Sequence, residues 1–271
     1  MKILLCTDGS PEAAKAARFG MQLGRSPDSE IRLLGVVEQR DDAETMRRGL
    51  EALGRELSAL GAHCGVEVRH GHAAEQILNE AETWQADVTV IGQLGRRGLT
   101  RFLMGGTAAR VMQYARGSVL LVKGHRPALK KILACTAGGE PGLRDVAAAG
   151  QIAAASGALV TVLHVMSQVP LTEHAYLPDL TATAEDLIAR QTREGVHLRS
   201  ALNQLQGRGA AKVRHGFVVD EILAEVREGD YDLLVVGAHR ARGLTRWLLD
   251  DVTAHLIEDS PVPVLVVRGE P

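Results

Sequence analysis

Ile91-Gly-Gln-Leu-Gly-Arg-Arg-Gly-Leu-Thr-Arg-Phe-Leu-Met-Gly-Gly-Thr107 is the stretch whose reading decides the fold. An apolar run over residues 88–91 delivers the chain into Gly92, and glycines recur at Gly95, Gly98, Gly105 and Gly106. Thr107-Ala-Ala-Arg-Val-Met then reads as a helix start. Strand, glycine loop and helix N-terminus together make a place where backbone N–H groups can hold a phosphate. No Gly-Lys-Ser/Thr follows the glycines and G-x-G-x-x-G is absent, so neither the P-loop nor the dinucleotide fingerprint applies. On composition alone, a surface loop with several turns explains the glycines as well as a phosphate does.

Working outward, residues 3–6 form an apolar strand that runs into Ser10-Pro11-Glu12, a capping serine, a proline at the first helical position and a first-turn acid. Helical spacing continues to Gly24. A strand over 31–37 precedes a helix over 43–60 ended by Gly61, then a short strand at 66–68 and a helix over 73–84 with Ile77, Leu78 and Ala81 on one face. After the glycine loop come a helix to about residue 115 and a strand at 119–122. Continuous apolar strands alternating with amphipathic helices indicate a parallel sheet covered on both faces.

The pattern then repeats. Lys2-Ile-Leu-Leu-Cys-Thr returns as Lys131-Ile-Leu-Ala-Cys-Thr, an offset of 129. Val68-Arg-His-Gly71 returns as Val213-Arg-His-Gly216 and Gly98-Leu-Thr-Arg101 as Gly243-Leu-Thr-Arg246, both at 145, so the second copy carries 16 extra residues between Val165 and Val213, placed around residues 168–183. Gly124-His-Arg-Pro-Ala reads as the linker, which divides the chain into domains 1–126 and 127–271. The second copy has strands near 132, 159–165, 213, 233–236 and 264–267. Its longest helix is expected to open at Thr183-Ala-Glu-Asp186, a capping box, with Leu198, Leu202 and Leu205 as its buried stripe. The apolar last strands, 118–123 and 261–267, are expected to pair with each other, because each would otherwise be an exposed sheet edge.

The spacing Gly92, two residues, Gly95, nine residues, Gly105 resembles the nucleotide-binding signature of the universal stress protein family, and Ile3-Leu-Leu-Cys-Thr-Asp8-Gly-Ser10 and Leu33-Leu-Gly-Val36 extend the resemblance. The family usually has Ser or Thr directly after the last glycine; here Gly106 holds that place and Thr107 follows. The resemblance implies an α/β fold of two tandem open, parallel five-stranded sheets with helices on both faces, Rossmann-like. It implies a stress-response sensor that binds ATP, with or without magnesium. Asp8 and Val36 would meet the adenosine half and Gly92, Gly95, Gly105 and Gly106 the phosphates, with Thr7, Leu94 and Thr107 also in the nucleotide site. For Asp8 the plainer reading is a turn residue that caps the next helix. One nucleotide is expected, in the first domain, because the second replaces Asp8 with Ala137, Gly95 with Arg240, Gly105 with Asp250 and Gly106 with Asp251, and keeps only Gly237. That half reads as structural or regulatory.

Composition narrows the classes. The chain has 271 residues, 45% hydrophobic and 24% charged, with a net charge of -2, and its basic residues form no long block, which argues against a nucleic-acid partner. No apolar stretch approaches membrane-spanning length and no signal-peptide core precedes Thr7-Asp8, so a cytoplasmic protein without a membrane partner is expected. Cys6, Cys64 and Cys135 have neither metal nor disulfide spacing. His70-Gly-His72 could chelate a metal, but its counterpart is His215-Gly-Phe217, so no metal site is expected. Arg96, Arg97 and Arg101 could reach phosphate; Arg242 and Arg246 repeat two of them in the degenerate copy, which favours a solvated surface or a domain interface. No catalytic constellation is present, so no enzyme is expected. Two rivals stay open: a ligand-free scaffold of this fold, and a flavin- or adenine-dinucleotide-binding enzyme. A homodimer and a regulatory protein partner are compatible with each.

Overall fold

The computed structural model describes every residue except 27, 39–41, 60–62, 94–104, 125, 168–180, 239–250 and 269–271. The first half runs β1 Lys2–Thr7, α1 Pro11–Met21, β2 Glu30–Val37, α2 Ala43–Ser58, β3 Cys64–His70, α3 Ala73–Thr83, β4 Val88–Gly92, α4 Gly106–Tyr114 and β5 Ser118–Val122. The second runs β6 Lys131–Cys135, α5 Gly139–Ser156, β7 Leu159–Met166, α6 Ala184–Ala189, α7 Arg193–Gln204, β8 Gly209–His215, α8 Val218–Glu228, β9 Leu233–Gly237, α9 Asp251–Asp259 and β10 Val264–Val267. No helix among the described residues is long and apolar enough to cross a membrane.

The strands lie in the order β3-β2-β1-β4-β5-β10-β9-β6-β7-β8. Pairing within each half is parallel, as expected. The two five-stranded sheets are joined where β5 and β10 pair antiparallel, Val264 opposite Leu121 and Val266 opposite Val119, into one open mixed sheet. The last strands thus meet as their exposed-edge hazard required. Alternation along each strand divides the core: Ile3 and Leu5 pack on the α1, α2, α5 and α7 side, and Leu4 and Cys6 on the α3, α4, α8 and α9 side.

Two buried cations cross the joint reciprocally. Arg268, just after β10, donates to the carbonyls of Met112 and Ala115 at the end of α4. Lys123, just after β5, donates to the Glu258 carbonyl near the end of α9 at 2.9 Å. A helix C-terminus has unpaired carbonyls and partial negative charge, so each cation fits where it lies. Burial lowers Arg268 to about 10. It also lowers Lys123 to about 8, against the opposing pull of Asp259 and Glu258. Gln22 adds a third tie, accepting from the Leu129 N–H at 2.9 Å and donating to the Pro127 carbonyl at 3.3 Å.

Local signals mostly act as read. Ser10 Oγ accepts the Ala13 N–H at 3.2 Å with Pro11 opening α1. Thr183 and Asp186 form the reciprocal capping box. One helix reading fails: the segment from Thr183 is not a single helix but α6 and α7, and the longest helix described in this half is α5, with 18 residues. Gln191 turns the chain at φ 54°, Thr192 caps a new helix by accepting the Gly195 N–H, and a Cβ on Gly195 would lie 2.0 Å from the Leu187 carbonyl oxygen. Leu198 and Leu205 are still buried and Leu202 partly so. Between β2 and β3 there are 26 residues and between β7 and β8 there are 42, so all 16 extra residues fall in that connection, with 168–180 outside the described residues.

Candidate functional site

Chain order reverses between β1 and β4: β2 and β3 lie on one side of β1, and β5 lies beyond β4. Helices leave these two strands toward opposite faces, which opens a crevice beyond their carboxyl ends. Thr7 ends β1 opposite Gly35 of β2, and Val36 is the next residue on β2. Gly92 ends β4, opposite Val122. Gly105 returns to the same end, its N–H donating to the Gln93 carbonyl at 3.2 Å, and Gly106 and Thr107 open α4 from there. Thr7, Asp8, Val36, Gly92, Gly105, Gly106 and Thr107 therefore share one end of the sheet; Leu94 and Gly95, with Arg96, Arg97 and Arg101, lie outside the described residues.

The N-terminus of α4 is chemically open. Gly105 is its N-cap with no side-chain cap, and the Gly105 carbonyl takes the first helical bond, from the Ala109 N–H at 2.9 Å. The N–H groups of the first turn have no partner within a helix. Neither glycine has positive φ. Among the described residues, a Cβ on Gly106 would meet nothing within 4 Å, and one on Gly105 would meet the Gln93 carbonyl oxygen, at 3.6 Å. Local packing thus does not demand either glycine, and a group approaching from the crevice gains the room they leave. Backbone donors at an uncapped helix start with unfilled space before them fit a phosphate.

Asp8 has a structural task as well. Its Oδ1 accepts the Ser10 N–H at 3.0 Å, and Thr7 Oγ1 accepts the Gly9 N–H at 3.1 Å, so the turn into α1 is built on both side chains. The turn reading of Asp8 is therefore realised in the fold. A cavity of about 450 Å³ touches Thr7 and Gly9 but extends between α1 and α2, past Arg18, Met46 and Leu53, away from Asp8, Val36, Gly92 and Gly105.

The second half places its own crevice at the equivalent point, as a cavity of about 430 Å³. Thr136, Ala137, Val165, Gly237 and Val252 line it, the repeat counterparts of Thr7, Asp8, Val36, Gly92 and Thr107. Thr136 Oγ1 accepts the Gly138 N–H at 3.2 Å and lies 2.7 Å from His197 Nε2. His164 Nδ1 lies 3.0 Å from the Thr136 carbonyl oxygen. Asp251 opens α9 where Gly106 opens α4; Arg240 and Asp250 lie outside the described residues.

Sequence reasoning missed Asp145, which projects from α5 into this cavity. The residue is 6% exposed, and burial raises its carboxyl to about 7 despite Arg144. Gly237 makes room for it, since a Cβ there would lie 2.3 Å from Asp145 Oδ2. The repeat register could have found it: Asp145 replaces Ala16, a buried alanine of α1. The same register pairs Lys123 with Arg268, also missed.

Burial pushes the thiols of Cys6 and Cys135 far up and that of Cys64 to about 11, which disfavours thiolate chemistry at neutral pH. Among the described residues no group of three His, Cys, Asp or Glu side chains could hold a metal ion.

Such a molecule is a tandem pair of doubly wound α/β domains with a crevice at each switch point. The sequence profile described as the universal stress protein family matches twice, over residues 1–123 and 128–268, so the chain belongs to that family, with its domain in two copies. A universal stress protein of Methanocaldococcus jannaschii is 30% identical over 139 residues, 45% of this chain and 81% of that protein. The crystal structure of a universal stress protein from Archaeoglobus fulgidus superposes with a TM-score of 0.72 at 17% identity, covering 98% of both chains. A universal stress protein solved in complex with cAMP is 28% identical, covering 53% of this chain and 99% of that one, with a TM-score of 0.41.

Proposed function

We propose that this chain is a cytoplasmic stress-response regulator that binds one adenine nucleotide, ATP, in domain 1–126, and that domain 127–271 takes none. The observation that carries the reading is the uncapped start of α4 at Gly105 and Gly106, which stands beside Gly92 at the switch point with space that no side chain of the described residues fills. Its backbone N–H groups and the positive end of the helix dipole suit the negative charge of a triphosphate. Thr107 supplies a hydroxyl one residue into the helix. Leu94 and Gly95 belong to the same phosphate-holding set through the family signature. Asp8 and Val36 would flank the adenosine, where a carboxylate can accept hydrogen bonds from ribose or an adenine amine. ATP, with or without magnesium, would supply the charge by which the protein's nucleotide state is read. We assign binding rather than turnover to the site, because its residues include no paired acid and base.

Calorimetric titration of the full chain with ATP tests this directly. One site per chain is expected; two equivalent sites, or no heat at millimolar ATP, would overturn the assignment. The ligand-free scaffold is favoured by Asp8 serving its own turn, and the second outcome would select it.

A further inference from the structure

The cavity at the second switch point has the opposite electrostatic character from a phosphate site. Among the described residues that line it there is no Lys or Arg, whereas Asp145 and Glu194 are present. Its walls are apolar: Leu163, Val165, Ile222, Val236 and Leu256. Burial, and then the neighbouring His164, lower His197, which bonds the Thr136 hydroxyl, from its ordinary histidine value.

Three polar side chains of this crevice are engaged within the protein, whereas Asp145, Glu194 and the exposed Ser167 are not, among the described residues. Thr136 bonds Gly138 and His197, His164 bonds the Thr136 carbonyl, and Thr253 donates to the Gly237 carbonyl at 3.2 Å. Asp145, more than nine-tenths buried and facing the cavity, takes no hydrogen bond from any described residue. A buried carboxyl without a partner is costly, and natural proteins leave few. Here the fold keeps Gly237 free of a side chain in the space the carboxyl occupies.

We propose that this second crevice binds a small ligand with an apolar body and one protonated amine, the amine resting on Asp145. The cavity's volume of about 430 Å³ is that of a small-molecule pocket. An ammonium would give the carboxyl the charge-assisted hydrogen bonds it lacks. Asp251 at the start of α9 and the carboxylates of Asp145 and Glu194 among the described lining residues disfavour an anionic ligand. The site is independent of the nucleotide reading, since it shares no residue with the first crevice.

The test is calorimetry on the full chain at pH 8, with phenethylamine as probe and 2-phenylethanol as the same body without the charge. The amine is expected to bind at one site per chain at least tenfold more tightly than the alcohol. Asp145→Asn, which keeps the side chain's size, is expected to bring the two together, with melting curves showing that the variant folds. Gly106→Asp, which disables the first crevice, is expected to leave amine binding unchanged. No amine binding at millimolar concentration, equal affinity for the alcohol, or a folded Asp145→Asn variant that still prefers the amine would overturn the proposal. So would adenosine occupying this crevice more tightly than the amine. If Asp145→Asn fails to fold, the wild-type preference for amine over alcohol decides alone.

Discussion

The two crevices share a backbone plan and differ in where charge has been placed. In the first, Gly106 opens α4 with no described side chain before it, and the position under the sheet end that matches Asp145 is the buried Ala16. In the second, Asp251 opens α9 and Asp145 occupies that depth. Duplication preserved the strands and the switch point, while a few side chains changed the charge that each end presents. The lesson is that position at a switch point says where a ligand goes, while the charge at the helix start says which.

The largest expected effect comes from moving the second crevice's charge into the first. Gly106→Asp adds a carboxylate where a Cβ meets nothing, so the fold should tolerate it. A negative charge about 4 Å from a phosphate costs on the order of 4 kcal/mol at an effective dielectric of ~20. ATP affinity should fall roughly a thousandfold, at about 1.4 kcal/mol per tenfold. Titration showing wild-type affinity would break the comparison.

Next is the joint that holds the two crevices together. Arg268→Ala leaves the Met112 and Ala115 carbonyls buried without their donor and opens a void. Unfolding in denaturant should show a loss of about 2–3 kcal/mol, the range for unsatisfied buried groups and core truncation together. Lys123→Met removes one bond and should cost less.

The titrating groups give smaller effects of opposite sign. Lys123 is lowered from 10.5 to about 8, so between those values the unfolded chain binds more protons and stability should rise with pH. Asp145 is raised from 3.8 to about 7, so across that window the folded chain binds more protons and stability should fall with rising pH. Melting temperature against pH should lose the first slope in Lys123→Met and the second in Asp145→Asn. A slope that survives its own substitution would remove that group from the account.

The smallest effect sharpens the first crevice. Gly106→Ser restores the hydroxyl that the family resemblance places after the last glycine, with room for its Cβ. One added hydrogen bond of about 0.5–1.5 kcal/mol should tighten ATP binding by up to about tenfold. Unchanged or weaker binding would mean that the phosphates do not approach this residue.

Much of this was legible in the sequence because the signals were local or repeated. Short β-branched runs such as 88–91, ended by glycine, read as buried strands, and the offsets of 129 and 145 marked two copies before any coordinate. The pairing of β5 with β10 followed from two apolar edges that needed covering. The break between α6 and α7 escaped because the capping box at Thr183 and the leucine stripe suit one helix as well as two; Thr192-Arg-Glu-Gly195 carried the second cap. Asp145 escaped for a different reason. An acid in a helix of small residues looks solvated, and only the sheet packed above it makes it buried. Within the first crevice, the gathering of Thr7, Asp8, Val36, Gly92 and Gly105 depends on strand order, which spacing alone does not encode; the family resemblance supplied it.

The antiparallel joint also sets a timetable for synthesis. Every strand of the first half is complete once Val122 has emerged, yet the strand that covers β5 begins at Val264. At ~5–20 residues per second, the ribosome needs on the order of ten seconds to reach it. Through that interval the nascent chain carries a finished half with an uncovered apolar edge, and an identical edge on a neighbouring nascent chain offers it the same antiparallel register.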